Sequence, residues 1–121
     1  MTQQNKQQRS IELSQMCNMI LRMNRKIDKA TTRIFQLAEI AAEKERVYRI
    51  AKHQEILKLR DEGIQVTYGP DVAMGRVAQL KYERDLSRYT YLSAKDALKA
   101  MQSQLNAMQT VIRYQTDGED F

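Results

Sequence analysis

Apolar side chains recur every three or four residues along the first half of the chain, which is the spacing of one face of a helix. This stripe comprises Leu13, Met16, Ile20, Met23, Ile27, Ala30, Ile34 and Leu37. Four consecutive heptads predict a helix lying in a coiled-coil-like seam. The same register continues at Ala41, Lys44, Tyr48 and Ala51. Beyond Leu37 we nevertheless expect the apolar stripe to drift, because a straight helix turns slowly relative to a seven-residue repeat. The drifted positions are Ile40, Val47, Ile50 and Leu57.

We expect this helix to cover residues 10–62. Residues 1–9 are polar and rich in Gln, so we expect them to be disordered, with Ser10 as the N-cap of the helix. The weakest point is the pair Thr31 and Thr32, since two β-branched residues lower helix propensity and either could cap a new helix. We predict a continuous helix, with a kink or break near Thr31 as the alternative.

A second stripe predicts a helix over residues 71–115. Its seam positions are Val77, Leu80, Arg84, Ser87, Tyr91, Ala94, Leu98, Met101, Leu105, Met108 and Ile112. Further apolar residues widen the stripe and favour contact with more than one helix; they are Ala97, Ala100, Ala107 and Val111. Gly75 is unfavourable inside a helix. Either the helix begins near Gly75, or a neighbouring element packs closely against it.

Turn-forming residues separate the two stripes. The stretch 59–75 holds the single Pro and three of the four Gly residues. Gly63 predicts a left-handed cap for the first helix, and Asp71 predicts an N-cap for the second. Between them, residues 64–68 alternate apolar and polar as a short strand does. Such a strand would pair with its copy in a second subunit or remain a loop.

Together these patterns predict an all-α fold, a long antiparallel helical hairpin with a sharp extended corner at 63–70. One helical domain would cover 10–116, followed by an acidic tail at 117–121. Because two helices bury only one stripe each, we expect the core to be completed in a homodimer, as a dimeric helical bundle. The candidate dimer or core seam consists of Leu13, Ile20, Ile27, Ile34, Leu37, Leu98, Met101, Leu105, Met108 and Ile112.

Positive charge is concentrated near the N-terminus. The net charge is +5, and the first 33 residues hold seven Lys or Arg against Glu12 and Asp28. The candidate basic face consists of Arg22, Arg25, Lys26, Lys29 and Arg33. Such a face can follow a phosphate backbone, although charge on a solvated helix face is common.

The sequence has no pattern typical of catalysis, a metal site or a bound cofactor. His53 is the single histidine and has no second ligand at metal-binding spacing. Cys17 lacks a histidine partner that would activate it, and is expected to act as a small apolar residue. The segment 69–76 is one residue too long for a phosphate loop. Glu39 and Glu43 are expected to form a solvated face. We therefore expect no enzymatic activity and no cofactor.

We expect a cytoplasmic protein without a membrane anchor. A single cysteine cannot form an intramolecular disulfide, which fits a reducing compartment. No apolar run approaches the roughly 18 residues that span a bilayer, and the N-terminus lacks the apolar core of a signal peptide.

A candidate partner surface lies on the outer side of the second helix. Its apolar part is Tyr82, Leu86 and Tyr89, and its basic part is Lys81, Arg84, Arg88 and Lys95. Tyrosines commonly anchor protein partners, and arginines bind carboxylates or phosphates. In the alternative interpretation the first helix covers this strip, which is then part of the core.

Residues 59–115 resemble a group of small phage-encoded helical proteins. The shared features are the LRDEG sequence at 59–63, Thr67, Asp71, Ala73, Gly75, the Arg84-Asp85 pair and a final helix rich in Leu, Met and Gln. The resemblance implies an origin in a phage or prophage, and roles in replication and recombination or in blocking a host defence system. It transfers no functional residue.

The sequence thus favours a non-catalytic protein that docks on a host protein or a protein–nucleic-acid complex. One example is an inhibitor of a host defence nuclease, similar to anti-CRISPR proteins. The first alternative is a basic accessory protein of phage replication or recombination that binds nucleic acid directly. The second alternative is a purely structural helical oligomer.

Overall fold

The computed structural model describes residues 2–63 and 69–119. Over these residues the chain forms α1 (Gln3–Asp61), α2 (Gly69–Arg76) and α3 (Ala78–Glu119), with no strand. The all-α class is therefore confirmed. The strand predicted at 64–68 lies outside the described residues.

The first helix begins earlier than predicted. α1 starts at Gln3, so residues 3–9 are helical rather than disordered, and Ser10 is inside the helix rather than at its N-cap. This segment contains no Gly or Pro, and Gln, Lys and Arg are good helix formers. Its side chains are all exposed, so the extension rests on backbone hydrogen bonding and propensity alone.

α1 continues through the Thr pair without a break. The Thr31 hydroxyl donates to the carbonyl of Ile27 at 2.8 Å, and the Thr32 hydroxyl donates to the carbonyl of Asp28 at 3.2 Å. A hydroxyl bonded to the preceding turn is satisfied inside the helix and does not compete as a cap. The predicted continuity of the helix is therefore confirmed.

The left-handed cap predicted at the end of α1 is also confirmed. Gly63 has a φ of 79°, a conformation that costs other residues steric strain. Its amide donates to the carbonyl of Arg60 at 3.0 Å, and the amide of Glu62 donates to that of Lys58 at 3.1 Å. These bonds satisfy carbonyls that a helix end leaves without partners.

The second predicted helix is divided at Val77 into α2 and α3. Across the interruption, the amide of Val77 donates to the carbonyl of Ala73 at 3.1 Å and that of Lys81 donates to the carbonyl of Val77 at 3.0 Å. Asp71 lies inside the first turn of α2 rather than at its N-cap. In the first turn its negative charge still interacts favourably with the helix dipole. Of the two expectations for Gly75, close packing by a neighbouring element is wrong, because no atom of such an element lies within 4 Å of a Cβ placed there; the long helix α3 does begin nearby, at Ala78.

The chain divides into two compact units. Unit 1 comprises Met1–Arg33 and Lys95–Phe121, and unit 2 comprises Ile34–Ala94. Among the described residues, every buried apolar side chain belongs to unit 2. These side chains are Leu37, Tyr48, Leu59, Ala73 and Val77.

Within unit 2 the packing face of α1 drifts as predicted, but not onto the predicted residues. Ala41 and Ala51 are half-buried and Tyr48 is buried, all in the register of the first four heptads. Farther along, Leu59 is buried and Lys58, which a strict seven-residue repeat from Leu37 would bury, is exposed, so the buried residues Leu37, Tyr48 and Leu59 are eleven residues apart. The residues expected to carry the drift are mostly exposed: Ile40, Ile50 and Leu57 face solvent and Val47 is half-buried.

Unit 1 packs less tightly. The predicted seam residues are half-buried rather than buried; they are Leu13, Met16, Ile20, Met23, Ile27, Ala30, Leu98, Met101, Leu105, Met108 and Ile112. The residues that widen the stripe of α3 are exposed, namely Ala97, Ala100, Ala107 and Val111. The periodicity therefore predicted the less exposed face of each helix correctly. The additional apolar residues of α3 are not covered by any other described part of the chain.

Candidate interaction surfaces

Four large apolar side chains of α3 are exposed in unit 2, and the three most exposed of them precede Leu92. Tyr82, Leu86 and Tyr89 are 61%, 53% and 65% exposed. Their spacing of four and three residues places them on one face of the helix. We call these three residues the tyrosine strip.

An apolar groove adjoins the tyrosine strip. Leu86 lines it together with Leu37 and Ile40 of α1, and the groove has a volume of about 300 Å³. The groove is also lined by the ion pair between Lys44 Nζ and Glu83 Oε2, whose atoms are 3.6 Å apart. The strip and the groove together form one open apolar surface, because Leu86 belongs to both.

The predicted basic column beside the strip is smaller than expected. Arg88 is exposed and Lys81 is half-buried, so both remain beside the strip. Lys95 belongs to unit 1 and interacts with another group of the chain. Arg84 is only 20% exposed at its side chain and takes part in packing, so its assignment to the outer surface is wrong.

Arg84 is held over the ring of Tyr48. Its Cζ lies 4.4 Å from the ring centroid, within the range of a cation–π interaction. Its Nε is 3.4 Å from Glu45 Oε2, and its Nη2 is 2.9 Å from Asp85 Oδ1. Burial lowers the pKa of Arg84, but the hydrogen bond and charge of Asp85, with the charge of Glu45, raise it overall.

Glu45 links this contact to the next turn of α1. Its Oε1 accepts a hydrogen bond from Arg49 Nε at 2.7 Å. That bond is the main reason why the pKa of Glu45 is lowered, and the charges of Arg84, Arg49 and Arg88 act in the same direction. The carboxylate is therefore stabilised in its charged form between two guanidinium groups.

These residues line a polar pocket of about 310 Å³ in unit 2. Its lining residues are Glu45, Tyr48, Arg49, Lys52, His53 and Arg84. We call it the Arg84 pocket. Sequence reasoning missed it, although five of the six residues share one side of α1 at helical spacing.

A second arginine fastens α2 to the end of α1. Arg76 Nη1 is 2.7 Å from Glu55 Oε1, and its Nη2 is 3.4 Å from Glu62 Oε2. The hydrogen bond with Glu55 is the main cause that raises the pKa of Arg76. Glu45, in the middle of unit 2, pairs with Arg84 of α3, whereas Glu62, just after the end of α1, pairs with Arg76 of α2. These pairs fix the relative register of the helices in unit 2.

The basic face of unit 1 lies on the surface of α1. Arg22, Arg25, Lys26 and Lys29 are exposed. Arg33 is exposed too and interacts with another group of the chain.

The other candidate residues are placed as follows. Cys17 and His53 are exposed, so Cys17 does not pack as a small apolar residue. Glu43 accepts two hydrogen bonds from Arg46, and this contact is the main cause that lowers the pKa of Glu43. Glu39 is exposed as well, which agrees with a solvated acidic face.

The described residues contain neither a metal-binding cluster nor a membrane-spanning helix. At residues 2–63 and 69–119, no group of three or more His, Cys, Asp or Glu side chains is arranged to hold a metal ion. Within the same ranges, no helix combines the length and apolar character needed to cross a bilayer.

Comparisons of the chain with models of known protein families, with curated proteins and with solved structures found no match.

Proposed function

We propose that the chain is a non-catalytic binding protein that docks on a partner protein through the tyrosine strip. The observation that carries this proposal is the exposure of Tyr82, Leu86 and Tyr89 beside an apolar groove. Burying aromatic side chains in a complex yields large apolar area at little cost in side-chain entropy, and tyrosine is enriched at the energetic centres of interfaces.

The charges around the strip define the chemistry of the partner. Arg88 and Lys81 flank the tyrosines, so an acidic rim on the partner would be complementary and would speed association. The resemblance of residues 59–115 to phage helical proteins directs the proposal to a host protein, such as a defence nuclease, that this chain would inhibit or recruit. The action is then one of occupying a surface and needs no chemical step.

We further propose that the chain is a hairpin that completes its core as a homodimer. The exposed stripe of unit 1, formed by Ala97, Ala100, Ala107 and Val111, supplies apolar area for a dimer interface.

The test is capture of partners from host lysate with the wild type and two variants. The first variant carries Tyr82→Ala and Tyr89→Ala. The control carries Tyr114→Ala, which removes a still more exposed tyrosine from unit 1. We expect a partner that survives nuclease treatment, binds the first variant at least tenfold more weakly, and binds the control as it binds the wild type.

Other results would contradict the docking proposal. A partner retained by the strip variant places the interface elsewhere. Loss of helicity in the strip variant shows that the strip is part of the core. A purely structural oligomer would form dimers in sedimentation while capturing no other protein.

Direct nucleic-acid binding is a second candidate, favoured by the exposed Arg22, Arg25, Lys26 and Lys29 of α1. It predicts an affinity that falls steeply as salt is added. In a plot of the logarithm of the binding constant against the logarithm of salt concentration, the slope becomes steeper by about 0.9 for each phosphate contacted. Replacing Arg22, Arg25 and Lys26 by Gln would make that slope shallower by about three. The matched control replaces Lys58 and Arg60, which are exposed on α1 in unit 2.

A further inference from the structure

We infer that the Arg84 pocket is a binding site for the phosphate monoester group of a small ligand. The inference is independent of the tyrosine strip and of any partner protein. It rests on the charges that line the pocket, on the fixed position of its central guanidinium, and on its size.

The lining of the pocket carries a positive net charge. Arg49, Lys52 and Arg84 are cationic and Glu45 is the one carboxylate among the lining residues, so the net charge of the lining is +2 with His53 counted as neutral. Asp85 pairs with Arg84 from outside the lining, which leaves a net charge of +1 for the whole group. A phosphate monoester carries about −1.5 to −2 charges at neutral pH, whereas a phosphodiester carries about −1. A positive site attracts the monoester more strongly, because the Coulomb energy is proportional to the charge of the ligand.

Lys52 and His53 supply donors that the folded chain does not use. Within the described residues, no ion pair or side-chain hydrogen bond reaches either side chain, and both line the pocket. The pocket is thus lined by an ammonium and an imidazole together with two guanidinium groups, all of which carry N–H donors. Phosphate oxygens are acceptors for such charge-assisted hydrogen bonds, which are stronger than neutral ones.

Arg84 is already held in place. The ring of Tyr48, Asp85 and Glu45 fix its guanidinium, and these contacts use Nε and Nη2. A ligand that contacts Nη1 would therefore meet a preorganised donor and lose little side-chain entropy on binding. The pocket volume of about 310 Å³ admits a phosphate with a small organic group attached.

Removing the charge of Glu45 should raise the affinity for phosphate, which is a test of the site with a defined direction. Glu45 neutralises Arg49 and lies 3.4 Å from Arg84 Nε, so it competes with any anion for both guanidinium groups. Replacing it by Gln keeps a hydrogen-bond acceptor and removes the charge. A phosphate should bind the Glu45→Gln variant more tightly, although the protein loses an ion pair there.

The experiment is a titration of the full chain with phenyl phosphate, followed by amide chemical shifts at constant ionic strength. Dimethyl phosphate is the diester probe, and an oligonucleotide with a 5′-phosphate tests a nucleic-acid end. We expect saturable shifts at the lining residues, and at least fivefold weaker binding of dimethyl phosphate. Lys52→Gln should weaken phenyl phosphate fivefold or more, Glu45→Gln should strengthen it, and Lys58→Gln, outside the pocket, should leave it unchanged.

Several results would overturn the inference. Equal affinity for the monoester and the diester would show simple charge attraction, as would equal losses in Lys52→Gln and Lys58→Gln. Tenfold tighter binding of the oligonucleotide would assign the site to nucleic-acid ends instead of small ligands. If Lys52→Gln disturbs the fold, His53→Gln gives the same test from an exposed position, where wild-type affinity would also overturn the inference.

Discussion

The Arg84 guanidinium lies over the Tyr48 ring, with 4.4 Å between Cζ and the ring centroid, and so joins α3 to α1 in the core of unit 2. The buried ring and the charged group stabilise each other, because the face of the ring is electronegative. Glu45 and Asp85 satisfy the charge of the guanidinium from two sides. An arginine can therefore occupy a seam position that would otherwise require an apolar side chain.

Removing the ring should strongly destabilise the protein. Tyr48 is 5% exposed, and replacing a buried aromatic residue by Ala costs about 3 to 5 kcal/mol. Tyr82→Ala is the matched control, since Tyr82 is exposed, and should change the free energy of unfolding by no more than about 0.5 kcal/mol. Urea unfolding of both variants measures the difference. Equal effects would show that Tyr48 is not in the core.

Unit 2 should become less stable in acid, because two of its glutamates become protonated. The pKa values of Glu43 and Glu45 are lowered from 4.5, in each case mainly by a hydrogen bond from an arginine. A carboxylate with a lowered folded-state pKa stabilises the protein above its unfolded pKa, and this stabilisation is lost as pH falls through the folded pKa. Melting temperatures should therefore decline as pH falls below about 4.5. A double variant, Glu43→Gln with Glu45→Gln, should show a smaller decline; an unchanged decline would assign it to other carboxyl groups.

Periodicity was sufficient to predict two long helical regions and the less exposed face of each. Leu13 to Leu37 form four heptads, and a repeat of that length has one physical interpretation. Gly63 was also predictable, because a left-handed helix end favours glycine over other residues. The interruption at Val77 was predictable in part, because Gly75 is unfavourable inside a helix and a helix start near it was one of the two expectations; the residue at which α3 begins, Ala78, was not.

The choice between two apolar stripes on α1 could not be made from sequence. Ile40, Ile50 and Leu57 are as apolar as the residues that pack, and only the position of α3 determines which stripe is buried. The contact between Tyr48 and Arg84 joins residues far apart in the chain, and periodicity carries no information on such distances. The Arg84 pocket depends on that contact, so it too was beyond prediction.

Two leucines near the end of α1 test the register directly. Leu59 is fully buried and Leu57 is 59% exposed. Leu59→Ala should cost about 2 to 5 kcal/mol, because it removes apolar contacts and leaves a cavity. Leu57→Ala should cost less than about 1 kcal/mol in the monomer. Chemical unfolding at low protein concentration measures both. A large cost for Leu57→Ala that grows with protein concentration would instead place Leu57 in a dimer interface.

Two glycines should respond to the same substitution in opposite directions. Gly63 has a φ of 79°, so Gly63→Ala forces a side chain into the left-handed region and should cost about 1 kcal/mol. Gly75 lies in α2 and a Cβ there meets no atom within 4 Å. Gly75→Ala should therefore stabilise the protein by up to about 1 kcal/mol, since alanine loses less backbone entropy in a helix. Thermal melts of the two variants give the signs. Destabilisation by Gly75→Ala would mean that another molecule packs against this face of α2, because the chain itself leaves the space open.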